Sequence, residues 1–248
     1  MNQVAVKYEP KVHGVTNSDW AHIHTHILKL EQEGLVTRTF RRLNPERQQA
    51  VIAAILDEAG ERGPTSINIK RVAERAGVSI GSLYQYFRNR EGLMTFTVEL
   101  CVRMVTDAFN EYRSALAAMS LRAGLAAYLA GGLEWGQTQA GLVQFFARAA
   151  YHGDSQLSEQ VVRPIANVLR EIVHDMLTEA AARGEIRAGI DLEATGRVIN
   201  ALMIAIGDAQ LLPHLNTYLQ VTDKKMPPKR VLEALLELVW RGIGTEPQ

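Results

Sequence analysis

The stretch AGVSIGSLYQYF, residues Ala76 to Phe87, joins a turn of small residues to a short segment that is rich in hydroxyl groups. Gly77 favours the left-handed backbone that ends a helix, and Ser79 is a good N-cap for the next one. Before the turn, Asn68 can cap a helix of about two turns whose apolar residues recur at helical spacing. The pattern therefore predicts two short helices joined by a tight turn, which is a helix-turn-helix motif.

The outer side of the second helix is predicted to carry hydrogen-bonding groups. Val78 and Leu83 are placed to fill the space beneath the two helices, so the other positions need not be buried. Those positions are Ile80, Gly81, Ser82, Tyr84, Gln85 and Tyr86. Base edges and phosphates require such a surface, and the motif therefore predicts contact with DNA.

The local charge favours the same interpretation, although the global charge does not. The 248 residues include 27 basic and 27 acidic side chains, so the net charge gives no argument for nucleic acid. Between Thr65 and Arg90, five basic residues stand against Glu74 alone. They are Lys70, Arg71, Arg75, Arg88 and Arg90. A local basic face is what phosphate contact requires.

The fold class predicted for the chain is all-α. Apolar residues repeat at helical spacing after Leu43, no stretch shows the alternation of a half-buried strand, and 47% of the residues are hydrophobic, enough to fill a core. Asn44 and Pro45 predict the start of a helix that stops at a break over residues 60–64. A long helix follows from about residue 90 to 119, and others are expected near 121–139, 141–151, 158–183, 191–212 and 227–242. Pro164 either starts the third of these late or kinks it, and residues 213–228 are predicted as a break.

The run INIKRVAERAGVSIGSLYQYFRNREGL, residues 67–93, resembles the DNA-binding domain of the TetR family of bacterial transcriptional regulators. The shared pattern is a turn of small residues, a Gly-Ser/Thr-Leu-Tyr core, an aromatic ending and a basic residue that opens the next helix. The resemblance covers about residues 47–100, and the remainder agrees only in architecture. It implies three segments: an N-terminal extension with a short amphipathic helix (1–43), the helix-turn-helix domain (44–100), and a helical ligand-binding and dimerisation domain (101–248).

The resemblance also implies roles for individual residues. Base contacts are expected from Lys70, Ile80, Gly81, Ser82 and Tyr84. Phosphate contacts are expected from Asn68, Gln85, Tyr86 and Arg90. Gly81 would let the DNA approach the backbone closely, and Arg90 lies near a helix N-terminus, where anions are favoured. Ile80 stands where a polar residue is commoner, and it suits contact with a thymine methyl group.

Two weaker signals lie before the motif. Arg38, Arg41 and Arg42 can reach a minor groove or flanking phosphates as an N-terminal arm does, and a solvated basic segment is an equal alternative. His22 and His26 have the spacing at which two imidazoles can share a metal. No third ligand stands at a matching spacing, so ordinary surface histidines are favoured and no metal site is predicted.

For the second domain, the resemblance implies a pocket for an unidentified small-molecule inducer. Aromatic, soft or polar side chains suited to such a pocket are Tyr128, Trp135, Gln144, Phe145, Arg148, Tyr151, His174 and Met176. For each one singly, a place in the core or on the solvated surface is the simpler interpretation. The last two helices are apolar enough for the intersubunit four-helix bundle that family members form. The residues expected there are Ile199, Leu202, Ile206, Leu232, Leu235, Leu236 and Val239.

These observations predict a homodimeric, ligand-released transcriptional repressor that binds palindromic double-stranded operator DNA and needs no cofactor. No phosphate-binding loop or nucleophile elbow is found, so an enzyme is not expected. The single cysteine, Cys101, fits a reducing compartment, and Lys7 and Glu9 precede any apolar run that could serve as a signal, so the expected location is the cytoplasm. One alternative is a constitutive DNA-binding protein whose second domain only dimerises. Another is a helical enzyme or interaction module.

Overall fold

The computed structural model describes residues 17–151 and 155–245, and side chains from residue 25 onward. The arm predicted at the start of the chain lies almost wholly outside the described residues, as do the side chains of Trp20, His22 and Ile23. Across the described ranges the fold is helical, with no strand beyond the isolated antiparallel bridge between Ile186 and Gly244. The all-α prediction is confirmed. No helix in these ranges is long and apolar enough to cross a bilayer.

The chain divides into two compact units, Met1–Met104 and Val105–Gln248, which are called the N-terminal unit and the C-terminal unit below. The boundary falls within the long helix α6. The helices up to that point are α1 (Asn17–Gln32), α2 (Arg38–Arg41), α3 (Pro45–Arg62), α4 (Ile69–Ala76), α5 (Ile80–Phe87) and α6 (Arg90–Ala118).

Helix α3 begins as its sequence predicts and ends later than expected. The Asn44 side chain accepts the N–H of Arg47 at 2.9 Å, and Pro45 occupies the first turn. The helix passes through Gly60 and ends at Gly63, where φ is 86°. The predicted start of the break at residue 60 is therefore wrong. Side chains of the last turns of α3, such as Glu61, form ion pairs with α4, which gives those turns a reason to stay helical.

The core of the N-terminal unit includes residues that precede α3. Ile27, Leu30 and Phe40 are 2%, 0% and 0% exposed. The Phe40 ring lies 5.3 Å from that of Phe87, which in turn lies 4.7 Å from that of Phe96. Helices α1 and α2 thus bury part of their surface on the same core as the helix-turn-helix.

The C-terminal unit continues with α7 (Leu121–Thr138), α8 (Ala140–Tyr151), α9 (Ser155–Leu157), a π-helical turn (Ser158–Val162), α10 (Arg163–Ala182), α11 (Leu192–Leu211), α12 (Pro213–Leu219) and α13 (Pro228–Ile243). Pro164 lies in the first turn of α10, so of the two expected roles it takes the late start. The break predicted over residues 213–228 is wrong for its first seven residues, which form α12. Asn216 stabilises the end of α12, because its side chain accepts the N–H groups of Val221 and Thr222.

The core of the C-terminal unit is built from α7, α10, α11 and α13. It takes up most of the residues predicted for the intersubunit bundle, namely Ile199, Ile206, Leu235, Leu236 and Val239. Those assignments are wrong, because these side chains are buried within their own chain. The apolar side chains that remain exposed on α11 and α13 are Val198 at 60%, Leu202 at 38% and Leu238 at 64%.

Candidate nucleic-acid interface and ligand cavity

Helix α4 and the turn after it form through local hydrogen bonds. The Asn68 side-chain oxygen accepts the N–H groups of Lys70 and Arg71 at 3.0 and 3.3 Å. Gly77 has φ 63° and ends the helix, and the N–H of Val78 donates to the Ala73 carbonyl at 3.0 Å. The turn therefore has the left-handed closure that glycine permits at little cost.

Helix α5 is capped by Ser79 and shares that cap with Ser82. The Ser79 hydroxyl oxygen accepts the N–H of Ser82 at 2.9 Å, and the two hydroxyl oxygens also lie 2.9 Å apart. Ser82 thus already has one hydrogen-bond partner in the protein. A hydroxyl has one donor and two acceptor positions, so capacity remains for a base or a phosphate.

The outer face of α5 is exposed and its inner face is fully buried. Ile80 is 41% and Tyr84 37% exposed, and Gln85 is also exposed, whereas Leu83 is 0% exposed. Tyr86 departs from the expected pattern because it is only 6% exposed, with its ring centroid 5.6 Å from that of Phe40. It stands three positions after Leu83 and therefore shares the inner face. The expected outward ring is wrong, while a phosphate contact through its hydroxyl stays a prediction.

Gly81 lies on the exposed face of α5, and no neighbouring atom in the described part of the chain requires a glycine at this position. A Cβ built there would meet only the Ser79 hydroxyl oxygen, at 3.6 Å, which is ordinary van der Waals contact. Glycine costs roughly 1 kcal/mol relative to alanine within a helix. The chain's own packing therefore does not explain this glycine, and the close approach of DNA to its backbone stays a prediction.

The end of α5 is held by Thr37, which the sequence did not single out. Its hydroxyl donates to the Gln85 carbonyl at 2.8 Å, and its backbone N–H donates to the Tyr86 carbonyl at 2.9 Å. Carbonyls in the last turn of a helix have no partner within the helix. Thr37 therefore caps α5 from a segment 48 residues earlier in the chain. The only sequence signal was its position as an N-cap before α2.

Two of the five basic residues in the motif form ion pairs with carboxylates of α3. The buried Glu58 lies 3.2 Å from Arg71 and 3.3 Å from Arg75, and Glu61 pairs with the same two arginines at 2.8 and 2.7 Å. Partial burial raises the pKa of Glu61, but the hydrogen bond and charge of Arg75, with those of Arg71, hold it below its ordinary value. The charge count from the sequence thus overstated the basic face.

The exposed basic side chains of the motif are fewer but well placed. Lys70 is 76% exposed at its side chain, 3.9 Å from Glu74, and Arg88 and Arg90 are exposed. Of the suggested arm, Arg38 and Arg41 form the helical turn α2, and Arg41 makes an ion pair with Glu31. Arg38 and Arg42 are exposed, and their contact with DNA stays a prediction.

The C-terminal unit contains a cavity of about 640 Å³, a volume that includes its opening to solvent. Its lining is mostly apolar and includes the aromatic residues Phe109, Tyr128 and Phe146 and the acidic residue Asp208. Among the eight residues suggested for a pocket, Tyr128 alone lines this cavity. Tyr151 and Trp135 each contact a lining residue instead. The exposed Tyr151 donates its hydroxyl to Asp208, and the Trp135 ring is 6.1 Å from that of Phe109.

The other five suggested residues do not line the cavity, namely Gln144, Phe145, Arg148, His174 and Met176. Gln144 and Arg148 are exposed, and Phe145 is buried while its neighbour Phe146 lines the cavity instead. His174 lies 3.6 Å from Glu193, and Met176 is 1% exposed within the core. Successive side chains on a helix point about 100° apart, so apolar spacing could not tell the cavity wall from the core.

Burial changes the acidity of the polar groups at the cavity. Desolvation raises the pKa of the Asp208 carboxyl, although the hydrogen bond from Tyr151 opposes this change. Burial also raises the pKa of the Tyr128 phenol, and burial together with Asp208 raises that of Tyr151. Both phenols are therefore hydrogen-bond donors at neutral pH.

The tight turn and the capped second helix with its exposed outer face define a protein of the helix-turn-helix class. The family model for bacterial regulatory proteins of the tetR family matches residues 51–95. This match confirms, for the helix-turn-helix domain, the resemblance to the TetR family that was recognised in the sequence.

Curated relatives agree over part of their length. The HTH-type transcriptional regulator BetI of Yersinia pestis (strain Pestoides F) is 30% identical over 121 residues, 49% of this chain and 60% of that protein. BetI 2 of Chromohalobacter salexigens is 32% identical over 92 residues, 37% of this chain and 44% of that protein. The chain thus spans 60% or less of the length of these relatives, both of which are named as HTH-type transcriptional regulators.

Solved structures extend the likeness to both units. SmeT in complex with triclosan superposes with a TM-score of 0.58 at 17% identity, over 80% of this chain and 93% of that one. A transcriptional regulator from Rhodococcus sp. Rha1 gives 0.55 at 23% identity, over 83% and 100%. At such identities the likeness shows the fold, a helix-turn-helix domain followed by a helical domain.

Proposed function

We propose that the protein is a homodimeric transcriptional repressor that binds a palindromic operator through α5 and is released from it by a small molecule. The observation that carries the proposal is the outer face of α5, where Ile80, Gly81, Tyr84 and Gln85 are exposed on a helix that is rigidly capped at both ends. A helix presented in this way suits insertion into a major groove.

Selection of bound DNA from a random pool, followed by fluorescence anisotropy with the selected duplex, tests the proposal. Lys70→Ala and Tyr84→Ala are each expected to weaken operator binding by about 5- to 150-fold, which corresponds to the ~1–3 kcal/mol of a base contact. Lys229→Ala removes an exposed lysine from α13 and serves as the control with unchanged affinity. No selected sequence, or no effect of either variant, would refute the proposal.

Gly81→Ala separates DNA binding from folding. Because a Cβ there meets no hard contact, the variant should be at least as stable as the parent. If DNA approaches this backbone, the same variant should lose most of its operator affinity. Unchanged affinity would place Gly81 outside the interface.

Ile80 is proposed to read a thymine methyl group. Its side chain is 41% exposed at the first position of α5. Ile80→Ser should therefore relax or change the base preference at one position of each half-site, in a second selection from the random pool. An unchanged preference would exclude a direct contact.

A second copy of the chain is the proposed occupant of the exposed apolar face of α11 and α13. Val198 and Leu202, four residues apart on α11, and Leu238 on α13 are the exposed apolar side chains that would be covered. One helix-turn-helix reads too few base pairs to be specific, whereas a twofold pair matches a palindrome. Leu238→Glu is expected to give monomers in sedimentation velocity and to abolish operator binding. Tyr218→Glu, at a side chain that is 85% exposed on α12, is the matched control.

Ligand release is supported by the cavity, which is largely apolar with a few polar groups, as small-molecule sites are. A ligand that prefers one spacing of the two recognition helices would shift the population away from the DNA-bound form. Helix α6 is suited to transmit that shift, because it begins in one unit and ends in the other. A constitutive DNA-binding protein predicts operator affinity that no small molecule changes, and a helical enzyme or interaction module predicts no salt-dependent binding to duplex DNA.

A further inference from the structure

The cavity of the C-terminal unit combines aromatic walls with one acidic group. Phe109, Tyr128 and Phe146 contribute rings, and aliphatic side chains such as Leu129 and Met203 supply much of the remainder. Among the described residues, the lining includes Asp208 and no lysine, arginine or histidine. A ligand in this cavity therefore meets mostly apolar and aromatic residues and one acidic residue.

Asp208 has no cationic partner among the described residues. Its carboxyl accepts a hydrogen bond from the Tyr151 hydroxyl, and no salt bridge reaches it from the described part of the chain. A carboxylate that loses hydration without a counter-charge is costly, and the desolvation at Asp208 is large enough to raise its pKa. A bound cation would compensate for that lost hydration.

The aromatic rings favour the same kind of ligand. The face of a phenyl or phenol ring attracts a cation, most strongly where water is excluded. An apolar body on the ligand would in turn cover the aliphatic walls. We propose that the cavity binds a lipophilic organic cation, a protonated amine or ammonium group with an apolar body, and that its charge faces Asp208. This inference rests on the proposed function, because it names the class of molecule that would release the operator.

Two glycines leave space in the walls for such a molecule. A Cβ at Gly132 would meet no atom within 4 Å, and one at Gly207 would meet only a Leu129 methyl at 4.0 Å. Both glycines line the cavity on helices, where glycine is otherwise unfavourable. Side chains added at these positions have room to occupy the space that a ligand would take.

Calorimetric titration of the full-length protein with three probes of similar shape tests the charge preference. The probes are 4-phenylbutylamine, 4-phenylbutan-1-ol and 4-phenylbutanoate. The amine is expected to bind at least about tenfold more tightly than the alcohol, and the carboxylate most weakly. Equal or tighter binding of the alcohol or the carboxylate would overturn the inference.

Asp208→Asn tests whether this carboxyl group is responsible. The variant keeps the size of the side chain and an acceptor for Tyr151, and it removes a poorly hydrated charge, so its melting temperature should equal or exceed that of the parent. The amine should lose its advantage over the alcohol in this folded variant. If the advantage persists, the assignment to Asp208 is wrong.

A pair of neighbouring glycines tests the location. Gly132→Leu should abolish binding of the amine by filling the cavity, whereas Gly131→Leu adds the same side chain at an exposed position outside the lining and should leave binding unchanged. Equal behaviour of the two variants would place the amine elsewhere.

Operator release separates this inference from the proposed function. If the amine binds in the cavity but does not release DNA, the ligand-release mechanism fails and the ligand class stands. If the alcohol or the carboxylate releases DNA and the amine does not, the mechanism stands and the ligand class fails. Release by the amine that is lost in Asp208→Asn supports both.

Discussion

The two units of this protein differ in how their helices are specified. In the N-terminal unit, side chains of Asn44, Asn68 and Ser79 cap three successive helices. In the C-terminal unit, the N-cap residues of α7, α10, α12 and α13 make no side-chain cap bond, and the first N–H of α7 donates instead to Glu185, 64 residues away. Asp191 at the start of α11 is an exception. The first unit is therefore defined largely by neighbours in sequence, and the second largely by packing between long helices.

This difference matches what each unit is proposed to do. Recognition of bases needs side chains held in one position, which short, capped helices provide. The lining of a cavity between long apolar helices depends instead on which side of each helix faces the cavity, and packing decides this. Four substitutions test how far the contrast holds, from the largest expected effect to the smallest.

Phe40→Ala tests whether the residues before α3 belong to the fold of the N-terminal unit. The ring is 0% exposed among other aromatic rings, so its loss should destabilise that unit by about 3–5 kcal/mol. The measurement is urea unfolding followed by hydrogen exchange in peptides of this unit. Leu28→Ala, at a residue that is 44% exposed on α1, should cost less than about 0.5 kcal/mol. Equal losses of unfolding free energy in the two variants would show that α1 and α2 are not part of the core.

Glu58→Ala tests the ion pairs that join α3 to α4. Its buried carboxylate serves Arg62, Arg71 and Arg75 and also accepts the N–H of Asn68. Removing it should cost about 3 kcal/mol, as for other broken buried pairs. Chemical unfolding measures this loss, and Glu134→Ala on the exposed surface of α7 is the control. A loss no larger than that of the control would show that the network is not structural.

Thr37→Val tests the distant cap of α5. The variant keeps the backbone N–H and the side-chain shape but loses the hydroxyl bond to the Gln85 carbonyl, at an expected cost of about 1 kcal/mol. Amide exchange in the last turn of α5 should accelerate, and operator affinity should fall. Thr39→Val, on the exposed surface of α2, should change neither. The same exchange rates in both variants would contradict the cap.

Glu61→Gln should have the smallest effect, because this glutamate is half exposed and its pairs are screened by water. Its pKa is lower in the folded protein than in the unfolded chain, so it stabilises the fold above the unfolded value, about 4.3, and this stabilisation is lost as the pH falls through the folded value. The melting temperatures of parent and variant should therefore differ at neutral pH and converge once the pH has fallen below the lowered folded value. A constant difference would exclude the linkage.

Local features of the candidate interface could be predicted, whereas distant contacts could not. Asn68, Gly77 and Ser79 act on atoms within about four residues, so their roles follow from residue type and spacing. Thr37 caps a helix 48 residues away, and no local pattern indicates that contact. The Tyr86 side chain was expected on the outer face of α5 because tyrosine suits phosphate contact. It lies three residues after Leu83, however, and therefore shares the buried inner face.

The cavity shows the same limit more strongly. Phe145 and Phe146 are equally apolar neighbours, but Phe146 lines the cavity and Phe145 is buried away from it. Asp208 lies in a mostly apolar helix and belongs to no sequence motif. It was singled out only because it lines the cavity with Phe109 and Tyr128 and accepts a hydrogen bond from Tyr151, and all three residues are far from it in the sequence. The rotation of each helix about its axis decides such contacts, and that rotation is set by packing.

The amino-acid sequence alone determined a helical chain with a helix-turn-helix motif that resembles the TetR family, because short-range capping and turn geometry depend on residue type within a few positions. Only the tertiary structure decided which arginines are occupied by Glu58 and Glu61, which face of α11 and α13 is exposed, and which polar group enters the cavity. These depend on contacts between helices distant in sequence, and the free energy of such contacts is fixed only when the helices pack.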